Sequence, residues 1–331
     1  MTDNLENVLE VDGLHTYFSL DSAILKAVRG VDFSLARGRT LGLVGESGCG
    51  KTVTALSLMG LVPPPGKIVA GSVRLRDRED NFRELIGLSE KKMRRIRGRE
   101  MGMIFQEPMT SLNPVFTIGE QVREAILVHE PVGREAARQR AIELLDAVKI
   151  PDPGSRYGDY PHQISGGQRQ RVMIAIALAC NPSVLIADEP TTALDVTVQA
   201  RILELIARLR DQYRMAVLLV THDLGVVAQS TERVAVMYLG RVVESGATRQ
   251  LFARPGHPYT QALLDSVPRL GEEKRRLKTV QGVVPDLSRI PTGCSFHPRC
   301  PWAEEICRRE SPEAREVEPG HRVECYFPRN N

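Results

Sequence analysis

A glycine-rich segment, GESGCGKT (45–52), limits the possible fold of this chain more than any other feature. A short apolar run, LGLV (41–44), precedes it, and a helical pattern, KTVTALSLMG (51–60), follows it directly. The segment fits G-x-x-x-x-G-K-[ST], a strand–loop–helix unit whose backbone N–H groups wrap phosphates at the positive end of the helix. It therefore predicts a nucleotide site, with Lys51 on the β- and γ-phosphates and Thr52 on Mg²⁺. The phosphate-binding set is Gly45, Glu46, Ser47, Gly48, Cys49, Gly50, Lys51 and Thr52.

Short apolar runs alternate with helical patterns along most of the chain. The runs are 101–105, 183–187, 216–220 and 233–238, and the helical patterns are 119–129, 133–149, 166–180 and 197–213. Strands that alternate with helices predict an α/β layered fold with a mostly parallel sheet. From about Arg254 onward prolines become frequent, cysteines gather and no further strand run stands out, which predicts a boundary near residue 255.

The run SVLIADE (183–189) ends in two adjacent carboxylates. Asp188, directly after the apolar run, is placed to hold the Mg²⁺ shell. Glu189 faces differently and is a candidate general base for the attacking water. The apolar strand before them argues against a merely solvated strand end.

Three further motifs carry a resemblance to a known family. ISGGQRQR (164–171), DEPTTALD (188–195) and THD (221–223) follow the phosphate loop in order, and about residues 8–250 resemble the ATP-binding cassette subunits of membrane transporters. The resemblance implies a P-loop ATPase domain over 1–254, with a mixed parallel sheet and a helical subdomain at about 107–182. It also implies that two cassettes pack head to tail, with segment 165–168 of one closing on the nucleotide of the other.

The resemblance also implies roles for individual side chains. Gln106 would contact Mg²⁺ and the attacking water, His222 would contact the γ-phosphate, and Asp195 would bridge the two sites. Phe18 is the first choice for stacking on adenine, and Tyr17 is the second. The nucleotide contacts implied outside the phosphate loop are Ser165, Gly166, Gly167, Gln168, Asp188 and Asp195.

Two other stretches narrow the resemblance to one branch. EPMTSLNPVFTIGEQV (107–122) and GHPYTQALLDSVP (256–268) resemble the dipeptide/oligopeptide branch of bacterial importers. This implies an ATPase that powers import of di- or oligopeptides, with a nickel chelate or an oligosaccharide as alternative solutes. The implied partners are a second, homologous cassette in a heterodimer, two permease subunits docking on 107–122, and an extracytoplasmic binding protein.

Composition bears on the cellular location. The chain of 331 residues has a net charge of +3, too weak to indicate nucleic-acid binding. The start MTDNLENVLEVDG is not a secretory signal, and the apolar runs fall short of the ~20 residues of a membrane helix. We therefore expect a cytoplasmic protein, bound peripherally at the cytoplasmic face of the cell membrane. A soluble cassette protein acting on ribosomes or DNA is disfavoured, because the chain has one cassette and no heptad run.

Four cysteines gather in the last part of the chain, in a C-terminal extension predicted over 255–331. They are Cys294, Cys300, Cys307 and Cys325. Disulfides are disfavoured in a reducing cytoplasm. Zinc, an iron–sulfur cluster and unliganded thiols remain open, although the spacing is wider than usual zinc pairs. The resemblance favours a [4Fe–4S] cluster, with a structural role; His297 and His321 are weaker alternative ligands.

Overall fold

The structure, a computed structural model, describes residues 6–21, 23–106, 111–192, 194–267 and 280–329. Within these ranges the strands form two sheets, one of four strands and one of eight. In chain order the strands are β1 (Asn7–Ser19), β2 (Ile24–Ala36), β3 (Thr40–Val44), β4 (Gly66–Arg76), β5 (Phe82–Glu84), β6 (Met101–Ile104), β7 (Val184–Asp188), β8 (Ala216–Thr221), β9 (Arg233–Tyr238), β10 (Arg241–Ala247), β11 (Arg315–Glu318) and β12 (His321–Val323).

The larger sheet carries the nucleotide motifs, in the strand order β11-β12-β10-β9-β3-β8-β7-β6. Strands β9, β3, β8, β7 and β6 pair in parallel. Strands β3, β7 and β8 are buried along their whole length. Parallel strands covered on both faces read as continuous apolar runs, which is why the sequence predicts them correctly. Their carboxyl ends bring the phosphate loop, Asp188 and His222 to one edge.

The helices of the described residues lie between and around these strands. The predicted helices are confirmed, with ends that differ from the prediction by at most three residues. They are α1 (Lys51–Leu58), α2 (Glu90–Ile96), α3 (Ile118–His129), α4 (Arg134–Ala147), α5 (Pro153–Arg156), α6 (Gly166–Ala177), α7 (Val196–Tyr213), α8 (Leu224–Ser230), α9 (Thr248–Ala253), α10 (Pro258–Asp265) and α11 (Glu305–Arg309). Helices α3, α4 and α6 pack together with α7 and one face of the larger sheet in one apolar cluster. Within the described ranges, no helix is both long and apolar enough to span a bilayer.

The smaller sheet is antiparallel, in the order β2-β1-β4-β5. Its inward residues, including Leu9, Leu14 and Val28, form a second apolar cluster with α1 and the larger sheet. The sequence analysis did not predict these strands. Their pairing is broken by several register shifts, and such irregularities interrupt the two-residue alternation that identifies a half-buried strand.

The C-terminal part departs from the expectation that strands end near Arg254. Strands β11 and β12 form a hairpin that pairs with β10 and so extends the larger sheet. A third apolar cluster joins this region to the ATPase part through Tyr238, Tyr259 and Phe296, all of them buried. Strands this short carry too few residues to show a period in the sequence. We call residues 255–331 the tail, described here over 255–267 and 280–329.

Candidate functional site

The phosphate loop lies between β3 and α1 and is tightly packed against neighbouring strands. A side chain at Gly45 would bring its Cβ within 2.2 Å of the Met237 carbonyl oxygen. At Gly50 the backbone has a φ of +105°, and a Cβ would lie 2.2 Å from the Ala27 carbonyl oxygen. Both positions therefore require glycine, for close approach at Gly45 and also for conformation at Gly50.

Lys51 is buried at the start of α1 and turns back over the loop. Its Nζ donates hydrogen bonds to the carbonyl oxygens of Gly45 (2.8 Å) and Glu46 (3.1 Å). No side chain caps α1, whose N-cap residue is Gly50. A lysine and a helix start without a side-chain cap, both directed at one glycine loop, can bind a polyphosphate.

Asp188 and Thr52 meet beside this loop. Asp188 is the last residue of β7, and the Thr52 hydroxyl donates a 3.3 Å hydrogen bond to its Oδ1. Burial raises the pKa of Asp188 to about 6, although the Thr52 hydrogen bond opposes that shift. A cation would favour the ionised carboxylate. A hydroxyl and a carboxylate are oxygen ligands of the kind that Mg²⁺ accepts.

Glu189 collects hydrogen bonds from three side chains at the edge of the sheet. The Gln106 amide and the Thr192 hydroxyl donate to Oε2 (3.1 and 2.9 Å), and His222 Nδ1 lies 3.0 Å from Oε1. Burial by itself raises the pKa of Glu189, but the bonds from His222 and Thr192 outweigh it and hold that pKa below its usual value. Its backbone is left-handed, with a φ of +46°. An ionised carboxylate held in a rarely populated conformation is typical of a functional position.

Two adjoining solvent-open cavities lie beside these groups and share Ser47, Gln106 and Glu189 as lining residues; together we call them the nucleotide cavity. The part next to Glu189 is lined by Gly45, Glu46, Ser47, Gln106, His222, Leu224 and Leu263. The adjoining part is lined by Phe18, Leu25, Ala27, Leu287 and loop residues, including Gly48 and Lys51. Phe18 thus lies where a base could stack. The neighbouring Tyr17 instead lies near His15 Nδ1 (3.0 Å) and under Lys26.

Segment 165–168 is not among the residues that line this cavity. Ser165 caps α6: its hydroxyl accepts from the Gln168 N–H, and the Gln168 side chain accepts from the Ser165 N–H. Ser165 and Gly166 are exposed, and Gly167 is partly so. Asp195 similarly caps α7 through the Val198 N–H. The chain therefore does not bring these predicted nucleotide contacts to its own phosphate loop.

The four tail cysteines line a single cavity, which we call the cysteine cavity, with an aromatic wall of Phe296, Trp302, Tyr326 and Phe327. None of the four forms a disulfide. Burial raises the pKa of Cys294 and Cys325 to about 11, whereas a bound cation would favour the thiolates.

The structure does not support the metal site that the sequence analysis predicted at these cysteines. Among the described residues no group of three or more His, Cys, Asp or Glu side chains is arranged to hold a metal ion. The thiols surround the cavity without forming a closed ligand set for one ion. The expected alternative ligands have other partners: His321 Nε2 lies 2.7 Å from the buried Glu244 carboxylate, and His297 Nδ1 lies 3.0 Å from the Cys294 carbonyl oxygen.

The tail reaches the phosphate loop, which the sequence analysis missed. Arg299 and Tyr259 both contact Glu46, and Leu263 and Leu287 line the nucleotide cavity. Arg299 is 253 residues from Glu46 along the chain. No local pattern could have revealed a contact at that separation.

A strand–glycine loop–helix unit, a buried loop lysine and adjacent Asp–Glu carboxylates on a parallel sheet define a P-loop nucleotide hydrolase. Comparison with known proteins narrows the class. The ABC transporter family model matches residues 28–192, and the model of the oligopeptide/dipeptide transporter C-terminal region matches residues 243–307. The chain therefore belongs to the ABC transporter family, as an ATP-hydrolysing cassette.

Individual relatives agree with this assignment. The dipeptide transport ATP-binding protein DppD of Escherichia coli (strain K12) is 48% identical over 321 residues, covering 97% of each chain. DppD of Bacillus subtilis (strain 168) is 49% identical over 324 residues, covering 98% of this chain and 95% of its own. A solved dimer of the ATP-binding cassette MJ0796, in a post-hydrolysis state with ADP and Pi, has a TM-score of 0.64 and 28% identity, covering 73% of this chain and 99% of that one.

Proposed function

We propose that this chain hydrolyses ATP to power the import of di- or oligopeptides through separate membrane permeases. The observation that carries the proposal is similarity along nearly the whole chain, tail included, to proteins named for dipeptide transport. Residues 243–307, which run from β10 into the tail, match a region described for oligopeptide and dipeptide transporters. Other solutes of the same importer branch remain outcomes of the test below.

The phosphate end of the cavity binds Mg²⁺–ATP in this proposal. When ATP is bound, Lys51 Nζ donates its hydrogen bonds to the β- and γ-phosphates instead of to the two loop carbonyl oxygens, because charged acceptors form the stronger hydrogen bonds. Thr52 and Asp188 would hold Mg²⁺, and Gln106 would also contact it. When bound, Mg²⁺ neutralises charge that develops on the phosphates. Phe18, which lines the same part of the cavity as Lys51 and Thr52, stacks on the adenine.

Glu189 accepts the proton of the attacking water. Its depressed pKa keeps it ionised at neutral pH, and His222 and Gln106 hold its two oxygens. His222 is largely exposed, so it is free to contact a γ-phosphate that enters the open cavity. The three side chains thus orient one water toward the phosphate.

The ATP site is completed by a second, homologous cassette. Segment 165–168 and Asp195 do not line this chain's own cavity, and the capped helix start at Ser165 is exposed to solvent. A helix start of this kind binds phosphate well. A partner's copy of this segment closes on the nucleotide, and ATP then binds the closed pair better than the open one, which drives a conformational change.

The membrane partners dock beside the helical subdomain, at the cytoplasmic face of the cell membrane. Residues 107–110 of the expected docking segment lie outside the described residues. In its described part, Val115 is 70% and Phe116 49% exposed, although both are apolar. These two exposed apolar side chains would form part of an apolar groove that binds a helix of the permease. An extracytoplasmic binding protein delivers the solute.

The cysteine cavity binds an iron–sulfur cluster of the [4Fe–4S] type. The fit rests on four thiols around one cavity with aromatic walls. A cluster of several irons fills more space than one ion, so it suits thiols that surround a cavity without forming a single-ion site. A bound cluster would supply iron–thiolate bonds to Cys294, Cys300, Cys307 and Cys325, and these would hold together a tail that has little core of its own.

The cluster is tested on protein purified anaerobically. We expect brown protein with iron and broad absorption near ~400 nm, which a Cys300→Ser/Cys307→Ser variant loses. Colourless protein with one zinc per chain contradicts the cluster and supports zinc. Colourless protein without metal contradicts both.

The transport proposal is tested by purification from native membranes and by uptake. A tagged chain should copurify with two hydrophobic permeases and a second cassette. Cells that lack the chain should lose uptake of a labelled dipeptide and regain it with the unmodified chain. Selective loss of nickel-chelate or oligosaccharide uptake contradicts the peptide assignment. Copurification with RNA or DNA and without permeases contradicts transport altogether.

A further inference from the structure

Glu46, the second residue of the phosphate loop, forms a partly buried ion pair with the tail. The Arg299 guanidinium donates two parallel hydrogen bonds to the two carboxylate oxygens, at 2.7 and 3.0 Å. The side chain of Arg299 is only 3% exposed. A two-pronged pair of this kind is strong and directional, and a lysine could not reproduce it.

Arg299 is itself held firmly on the tail side. Its Nε donates to the Gln281 carbonyl oxygen at 2.9 Å. Its guanidinium also lies within 6 Å of the ring centres of Tyr238 and Phe296, the range of a cation–π contact. The carboxylate of Glu46 is therefore tied to a cation that has little freedom to move.

The backbone of Glu46 is held from the same side. Its N–H donates to the Tyr259 hydroxyl at 2.9 Å. Tyr259 is fully buried, and its ring packs 4.7 Å from that of Tyr238. Two tail residues thus hold both the main chain and the side chain of one phosphate-loop residue.

The charge of Glu46 makes the pair matter for nucleotide binding. Glu46 lines the same part of the cavity as Glu189, Gln106 and His222, where the γ-phosphate is proposed to lie. An uncompensated carboxylate there would repel ATP, because like charges at short range in a partly buried site are weakly screened. Arg299 supplies the compensating charge from outside the loop.

We propose that Arg299 is a positioning residue for the phosphate loop, which neutralises Glu46 and thereby lets the loop accept the terminal phosphate of ATP. This inference rests on the proposed nucleotide site and extends it, because it assigns the tail a part in ATP binding. The turn His297–Arg299 lies between Cys294 and Cys300, so the conformation of the cysteine cavity also places the guanidinium.

The test measures equilibrium binding of Mg²⁺–ATP and Mg²⁺–ADP to the full-length chain and its variants. Arg299→Ala should weaken ATP binding about tenfold, the scale of one lost charged hydrogen-bond pair, and weaken ADP binding less. Arg299→Lys keeps the charge without the fork and should fall in between. Arg299→Ala/Glu46→Gln should recover most of the lost ATP affinity, since the repelling charge is gone. Arg309→Ala is the matched control, because Arg309 is an exposed tail arginine paired with Glu305.

Three results overturn the inference: unchanged ATP affinity in both Arg299 variants, an equal loss for ATP and ADP, or no recovery in the double variant. The last two would mean that Arg299 only stabilises the tail. Lys51→Ala in the same assay reports on the nucleotide site itself. If Lys51→Ala leaves binding unchanged, the proposed site is wrong; if Lys51→Ala weakens binding and the Arg299 variants do not, only the role of Arg299 is wrong.

Discussion

The phosphate loop and the tail touch each other but are stabilised differently. The loop follows a strand that is buried along its whole length, and Gly45 and Gly50 pack against neighbouring backbone. The tail has short elements, such as β12 and the turn His297–Arg299, joined by irregular segments. Close backbone packing holds most of the loop, whereas the tail depends on one apolar cluster, with Tyr259 and Phe296, and on individual polar contacts.

A buried carboxylate illustrates how the tail is held. Glu244 of β10 accepts hydrogen bonds from the N–H groups of Gly256 (2.7 Å) and His257 (2.9 Å), and its Oε1 lies 2.7 Å from His321 Nε2. One side chain of the larger sheet thus ties down the start of α10 and the last strand. Losing a single partner of such a group is costly, since it leaves a buried charge uncompensated. From this difference we expect that removing a single tail contact changes nucleotide binding. Substituting a catalytic side chain should, in contrast, leave the fold of the tail unchanged.

The largest expected effect separates chemistry from binding at the loop. Glu189→Gln keeps the size of the side chain and removes the carboxylate, so ATP turnover should fall by roughly 10²–10⁴-fold. ATP affinity should stay within a few-fold of that of the unmodified chain. The free energy of unfolding of the tail should stay the same. Steady-state phosphate release and nucleotide binding, measured on the same preparation, check this. An equal loss of binding and turnover contradicts the assignment of Glu189 as the base.

The second prediction concerns the loss of tail stability at acidic pH. His257 is buried, and its Nδ1 accepts from the Tyr259 N–H. Burial lowers the pKa of His257 to about 4, against a smaller raising effect of the facing Glu244 carboxylate. The unfolded chain binds the proton more readily, so stability is full above about pH 6.5 and falls as pH drops toward 4. The loss amounts to about 3 kcal/mol at most.

Urea unfolding between pH 7.5 and 4.5, monitored with a spectroscopic probe in the tail, measures that loss of stability. His257→Asn keeps a side-chain acceptor for the helix start and should flatten the pH dependence, although its stability at pH 7.5 is lower. His162→Asn, at an exposed position, is the control and should keep the original slope. The same slope in His257→Asn would exclude His257 as the acid-sensitive group.

The smallest effect would connect the two regions. Cys307 is buried and lines the cysteine cavity, so Cys307→Ser puts a polar hydroxyl in place of a packed thiol and should loosen that cavity. ATP affinity should fall by only ~3-fold, because the change reaches the loop indirectly through the turn that carries Arg299. In an Arg299→Ala background the same change should have no further effect. A full additional loss in that background would mean that the cysteines act on the loop by another route.

Much of the ATPase part could be predicted from the sequence. The strands β3, β7, β8 and β9 and the helices α3, α4, α6 and α7 all appear where patterns predict them. The predicted Mg²⁺ and water-activating side chains, such as Asp188, Glu189 and His222, lie at one edge of the sheet. Parallel strands force this outcome, because the ends of neighbouring strands meet regardless of their distance along the chain.

By itself the sequence determined the phosphate loop, since its shape depends on glycines and a helix start within eight residues. Only the tertiary structure decided what compensates Glu46, that β12 joins the larger sheet, and that Tyr259 and Leu263 of the tail reach the phosphate loop and its cavity. These depend on contacts between residues far apart in the chain, made by a few side chains or by the backbone of a short strand. Such contacts leave no periodic pattern in the sequence, because burial of a single pair follows from the packing of whole elements.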